Sequence, residues 1–347
     1  MHACNASISG AVHSPVPRNG VLKISIGIYP NEAPADIIAS ARLADRLGYA
    51  TLWILDSHLL FHEVYTLLGA LAVSTTSIRL GTAVTNPLTR HPTVTAAAFS
   101  TLAELSGGRA LLGISVGDSA LKSMHLAPAR MSVLEETVVL CRKLLAGEPV
   151  SLAEGKTAQL HHVGPHVPIY VAATGPKMLQ LAGRIADGVI LMNGTAPDLI
   201  REAVRIVREG EQAAGRQGGH VKTTVWAACH PSPSAVRFNV ARAILRNIPG
   251  ETDGRTRDVA DRVRQAYDFR QHGSAEADFA SLIPDDIIAR FAFCGGYAQI
   301  ARQIEALKPL GIDEVVLAIP VAPTITPRDL IMRELGPMLI STSAGRS

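Results

Sequence analysis

The stretch from Ile78 to Ser119 limits the folds open to this chain more than any other. Residues 78–84 are short, apolar and β-branched, and Thr85-Asn86-Pro87 bounds them, the pattern of a buried strand. His91-Pro92-Thr93 then opens an alanine-rich run to Leu105, with Pro92 suited to a first helical turn. Gly107-Gly108 stops that helix, because glycine tolerates the left-handed conformation. Residues 110–116 form a second apolar strand that runs into the small polar turn Gly117-Asp118-Ser119. Strand, helix and strand in that order make a βαβ unit, which imposes a parallel sheet.

The same rhythm continues on both sides. Further strands are expected over 22–29, 51–55, 168–173, 188–192, 221–228 and 314–319, and helices over 33–47, 63–74, 131–145, 175–186, 196–214, 234–247, 297–310 and 327–339. Residues 150–160 read as a short hairpin around Glu154-Gly155. The stretch near 249–290 breaks the rhythm and reads as a late helical insertion. Eight strands, each followed by a helix, predict an α/β fold of the closed (β/α)8 TIM-barrel type with insertions, rather than an open sheet. The length of 347 residues and a hydrophobic content of 47% suit such a barrel, which needs ~250 residues before insertions. Residues 1–20 lack the apolar centre of a signal peptide and read as a disordered tail, which leaves 21–347 as one barrel domain.

Composition removes several function classes. The net charge is +3 and no Lys/Arg tract occurs, so nothing points to nucleic acid. No run reaches the ~18 apolar residues that would span a membrane. Cys4, Cys141, Cys229 and Cys294 form no CxxC pair, the expectation for buried thiols in a reducing cytoplasm. His161, His162 and His166 fall on a surface loop beside Gly164-Pro165, and no ligand spacing for a metal is present. His91 opens a helix, where capping and packing explain it.

In a barrel of this type chemistry gathers at the C-terminal ends of the strands. Those ends carry Tyr29, Asp56, Ser57, His58, Asn86, Gly117, Asp118, Ser119, Thr174, Gly175, Asn193, Gly194 and His230, a small and polar set suited to a flat, phosphorylated ligand. Asp56 and His58 are the catalytic candidates, since a carboxylate and an imidazole can position a substrate and move protons near neutral pH. Thr174-Gly175-Pro176-Lys177-Met178 is the candidate phosphate turn: an unobstructed backbone, a proline pre-set for the first turn, and a helix N-terminus that favours an anion. Tyr267 and His272 lie in the insertion and are candidate lid residues over the substrate, with Tyr29 and His230 beside them. Only Asp56, His58, Asp118 and His230 could serve a metal-dependent hydrolase, without a ligand-pair spacing.

Three motifs together add a family. Gly81 to Pro92, Leu105 to Arg109 and Gly113 to Ser119 resemble the bacterial-luciferase-like family, and within it the methylenetetrahydromethanopterin-reductase-like branch. The resemblance spans about residues 22–340 and implies a reduced flavin or deazaflavin at the barrel mouth. Its first implication is a monooxygenase that uses reduced FMN and O2 on a small organic substrate, with a separate flavin or deazaflavin reductase as partner. The alternative is a coenzyme F420-dependent enzyme that moves hydride to or from a carbon centre, and a non-catalytic flavin-binding subunit comes third. The resemblance also implies a cis peptide between Ala83 and Val84 against the cofactor ring, with Asn86 nearby. Family members carry Asp-His at the second strand end, whereas here Ser57 separates the pair. A homodimer through the faces of residues 67–73 and 96–102 is a further implication.

Overall fold

The computed structural model describes residues 21–246, 254–267 and 278–340; the expected N-terminal tail and His272 lie outside them. The first half of the chain alternates β1 (Lys23–Ile28), α1 (Pro34–Arg46), β2 (Thr51–Ile54), α2 (Val64–Ser74), β3 (Arg79–Thr82), α3 (Pro92–Leu105) and β4 (Ala110–Ile114). A four-residue helix, α4 (Ser119–Lys122), and the longer α5 (Met131–Leu145) follow. The hairpin β5 (Val150–Ala153) and β6 (Lys156–Ala158) stands apart as its own two-stranded sheet. Next come β7 (Ile169–Ala173), α6 (Pro176–Ile185), β8 (Gly188–Leu191), α7 (Pro197–Ala213), β9 (Lys222–His230) and α8 (Pro233–Ile244). The insertion holds α9 (Gly254–Ala266), α10 (Asp285–Phe291) and β10 (Ala292–Cys294), and the chain returns through α11 (Tyr297–Glu305), β11 (Glu314–Ala318) and α12 (Arg328–Leu339).

Eight parallel strands close in the order β1-β2-β3-β4-β7-β8-β9-β11, with β11 pairing back to β1. The strands bury both faces, as a parallel sheet covered by helices requires. Outward residues such as Ile26, Leu80 and Leu112 join the helices in the main core. Trp53, Leu111, Tyr170, Ile190, Trp226 and Val316 fill the lumen. The lumen is therefore packed, and any ligand must sit on top of it.

The ninth strand, β10, is a feature the expected element string lacks. Ala228 pairs with Ala318 of β11 on one edge and with Ala292 of β10 on the other. Hence β10 lies above the end of β8, on the edge that β8 leaves free beyond Val225. The Thr195 and Ala196 N–H groups donate to the Arg290 carbonyl and tie the loop after β8 to the insertion. The returning segment has a hydrophobic core of its own, built by α8, α9, α10 and β10 around Phe279, Ile283 and Ile288. Several expected bounds also change: the strand over 110–116 ends at Ile114, that over 221–228 runs on to His230, and the helix over 234–247 ends at Ile244. The strand over 78–84 ends at Thr82, and the helix over 297–310 ends at Glu305, followed by a separate short turn at Lys308–Leu310.

Candidate active site

Why β3 stops early is local chemistry. The Thr82 hydroxyl donates to the Gly113 carbonyl at 2.7 Å and accepts from the Gly113 N–H at 3.1 Å, so a side chain takes the place of the ladder. The Thr82 carbonyl occupies the space a Cβ on residue 113 would need, 1.9 Å away, so only glycine fits there. The chain then bulges over Ala83 and Val84, whose peptide bond is cis, and rejoins β4 where Thr85 bridges Ile114.

That bulge forms one wall of a cavity of about 500 Å3 at the C-terminal ends of the strands. Leu55, Ala83, Val84 and Met192 rest on the lumen core and line it from below. Asp56, Ser57 and Asn86 come from the ends of β2 and β3, Ser115 to Ser119 from β4, and Thr174, Gly175 and Met178 from the turn after β7. Gly117 has φ +90°, a backbone conformation that side chains rarely adopt, and its bare Cα lets the turn pass Leu121 and Asn86. Ser57 and Ser119 join their hydroxyls at 2.6 Å and so link β2 to the start of α4.

Two polar atoms at this wall are left open. The Asp56 side chain is 1% exposed; its Oδ2 accepts from Arg90 at 2.7 Å, while its Oδ1 has no partner among the described residues. Arg90 also meets Glu63 at 2.5 Å and lies 4.2 Å from the Tyr65 ring centroid. Burial pulls the Arg90 pKa down, but Asp56 and its other partners outweigh burial and raise it, so the guanidinium is a fixed cation. Asn86 Oδ1 accepts from the Leu88 and Thr89 N–H groups, both at 3.0 Å, which fixes the amide orientation. Its Nδ2 is buried without a partner among the described residues. One open acceptor and one open donor thus stand on either side of the cis bulge.

Not every expected residue reaches the cavity. His58 begins the turn after β2, half-buried and away from the lining: the inserted Ser57 takes the inward position beside Asp56 and moves the imidazole on by one residue. Pro176 and Lys177 are exposed on the first turn of α6, and only Thr174, Gly175 and Met178 of that motif line the cavity. Asn193 is fully buried and acts through the turn, donating Nδ2 to the Thr174 carbonyl at 3.0 Å. His230 is a satisfied core histidine: Nδ1 accepts from the Ser232 N–H at 2.9 Å and Nε2 faces the Thr326 carbonyl at 3.3 Å. Burial pulls its pKa down.

Tyr29 and Gly194 line a recess of about 70 Å3 that shares Leu55, Ala83 and Met192 with the main cavity. Asn239 donates to the Tyr29 oxygen at 2.8 Å, which leaves the phenol hydrogen free, and burial raises the Tyr29 pKa. Tyr267 reaches the main cavity from the insertion. Arg242 and Arg246 line both spaces and were absent from the sequence-based set. Their spacing of four residues at the end of the helix after the seventh barrel strand is the signal that could have marked them. Among the described residues no group of three or more His, Cys, Asp or Glu side chains could hold a metal ion. No helix among them is long and apolar enough to cross a membrane.

The closed barrel, its filled lumen and the polar-walled cavity above it define a (β/α)8-barrel enzyme architecture. The chain belongs to the luciferase-like monooxygenase family, whose profile matches residues 13–314. It is 32% identical to a 5,10-methylenetetrahydromethanopterin reductase of Methanolobus tindarius, an alignment covering 87% of this chain and 95% of the relative. An F420-dependent glucose-6-phosphate dehydrogenase of Kineococcus radiotolerans is 36% identical over 56% of this chain and 63% of its own length. Among solved structures, the coenzyme F420-dependent tetrahydromethanopterin reductase of Methanopyrus kandleri superposes with a TM-score of 0.75 at 25% identity, covering 92% of this chain and 99% of that one. These relatives are oxidoreductases.

Proposed function

We propose that the protein is a coenzyme F420-dependent oxidoreductase that moves hydride to or from a carbon centre of a small organic substrate. The observation that carries this is the 32% identity to a 5,10-methylenetetrahydromethanopterin reductase over 95% of that relative's length. On this likeness we rank F420 first and reduced FMN second, the other way round from the order inferred from the motifs.

The residues present fit a deazaflavin. Ala83 and Val84 at the cis bulge give the cavity an apolar wall for a ring. Asn86 Nδ2 and Asp56 Oδ1 are an open donor and an open acceptor for the carbonyl and N–H groups of the ring edge. Thr174 and Gly175, at the N-terminus of α6, suit its phosphate. When bound, the deazaflavin supplies a two-electron hydride centre.

Everything else falls to the chain. The Arg90 ion pair holds Asp56 as an acceptor. Leu55, Val84 and Met192 exclude water beneath the ring site. Tyr29, kept protonated by burial and oriented by Asn239, holds a proton on Oη at the recess, placed for the oxygen or nitrogen beside the reacting carbon.

An anaerobic fluorescence titration of the full chain with F420 and with oxidised and reduced FMN tests the reading. F420 is expected to bind at least about tenfold tighter, a difference of about 1.4 kcal/mol. Tighter binding of reduced FMN, with a flavin-hydroperoxide absorbance on admitting oxygen, would return the protein to the monooxygenases.

A further inference from the structure

The scheme above leaves two cations without a task. Arg242, in the last turn of α8, and Arg246, in the turn that closes it, sit four residues apart and so share one side of the helix. Both line the recess as well as the main cavity. The barrel order sets where that recess lies. Its lining comes mostly from the ends of β1, β8 and β9 and from α8, and it meets the cofactor wall at Leu55 and Ala83; the strands β2, β3, β4 and β7 of that wall occupy the other arc of the barrel.

Elsewhere in the fold Arg90, Arg208 and Arg328 each meet a carboxylate. Among the described residues neither Arg242 nor Arg246 does. Arg246 donates to the Arg242 carbonyl at 3.2 Å, and Arg242 rests 5.7 Å from the Phe238 ring centroid. Asp118 feels both charges, but its carboxylate bonds to Lys122 at 2.6 Å. Burial, and then the charge of Arg242, push the Arg246 pKa down. Two adjacent guanidiniums at a recess whose lining holds no carboxylate leave a deficit of negative charge there that a ligand can fill.

We infer that Arg242 and Arg246 bind an anionic group of the substrate, a phosphate or a carboxylate, and anchor it at the recess with the reacting carbon directed to the cofactor wall. The inference rests on the oxidoreductase reading above. It makes the substrate a phosphorylated or carboxylated small molecule. A planar guanidinium pair favours an anion with several oxygens, because each fork can take two of them. The other source of the same chemistry is the phosphate of the cofactor itself. The turn after β7 already offers donors for that group on the cofactor wall, which favours the substrate.

Inorganic phosphate is the probe. It is titrated by calorimetry into the full chain preloaded with F420, using wild type, Arg242→Gln and Arg246→Gln, and thermal melts check that each variant folds. Wild type is expected to bind phosphate. Either substitution is expected to weaken that binding about tenfold or more, the worth of a charge-assisted hydrogen bond, with F420 affinity moved less than about threefold. No phosphate binding by wild type, or unchanged binding in both variants, overturns the site. Loss of F420 affinity with phosphate affinity intact also overturns it, and assigns the arginines to the cofactor. If wild type binds no F420, the same titration on cofactor-free protein decides. Arginine-dependent phosphate binding then keeps the anion site while the cofactor reading fails, and its absence sinks the site too.

Discussion

Replacing Arg90 with leucine is expected to be the most damaging single change at the cavity that leaves the barrel core intact. Three contacts are lost. The pair with Glu63 is worth little, because that carboxylate is 41% exposed and water can take over, about 0.2–1 kcal/mol. The stacking on Tyr65 adds about 0.5–1 kcal/mol. Asp56 decides the total: its side chain is 1% exposed, and removing the partner of a buried charge costs about 3–5 kcal/mol. For a chain of this size each kcal/mol moves the melting temperature by about 2 °C, so a drop of about 6 °C or more is expected. Urea unfolding of wild type, Arg90→Leu, Asp56→Asn and the double variant separates the terms. The double variant should recover about 2 kcal/mol of the Arg90→Leu loss, since a neutral amide no longer needs the cation. A loss below about 1 kcal/mol for Arg90→Leu, or a double variant no more stable than it, refutes the reasoning and means that Asp56 is solvated from the cavity. Asp56→Asn should keep the fold but weaken F420 binding about tenfold, through the lost acceptor.

Other outcomes follow from the same geometry. Gly117→Ala places a Cβ at φ +90° and 2.5 Å from Leu121 Cδ1, so a stability loss of about 1–2 kcal/mol with weaker F420 binding is expected in urea unfolding and fluorescence titration. His58→Ala should change steady-state turnover by no more than about twofold, as surface substitutions do; a loss of a hundredfold would restore the imidazole to the catalytic set. His230 sets a pH dependence. Burial keeps its native pKa below that of the unfolded chain, near 6.5. The neutral form therefore stabilises the fold above about pH 6.5, and this contribution is lost as the pH falls, at no more than about 1.4 kcal/mol per pH unit. Unfolding free energies of His230→Asn between pH 7 and pH 5 should show a flatter slope than wild type, and an unchanged slope contradicts the assignment.

The barrel was legible because its elements carry strong local signals. Pro92 and Gly107 bracket α3, the apolar stripe of Met131–Leu145 gives α5 at the bounds read from the sequence, and the apolar strands stand between glycines and prolines. β10 was not, for a physical reason: three residues between α10 and Gly295-Gly296 show no periodicity, and only pairing with Ala228–His230 makes them a strand. At the site, strand ends named the right neighbourhood but not the direction of each side chain. His230 follows the strand-end rule and turns into the core, where Ser232 and Thr326 satisfy it. Arg242 and Arg246 show the opposite failure: their four-residue spacing puts them on one side of the helix but does not say that this side meets the mouth, which only the cavity lining shows. The cis bond at Ala83–Val84 came from family resemblance, and its local support, the Thr82 hydroxyl standing in for the ladder, is visible only in three dimensions.

Two hydrophobic cores stand behind the two sides of the mouth. The wall from β2, β3, β4 and β7 is rooted in the barrel itself, whereas α8, with Arg242, is packed into the smaller core that it shares with α9, α10 and β10. Substitutions in α8, α9, α10 and β10 can therefore repack that smaller core and redirect its arginines while the wall from β2, β3, β4 and β7 keeps its shape. The two sides of the mouth thus draw their stability from separate reserves, so one can vary while the other is kept.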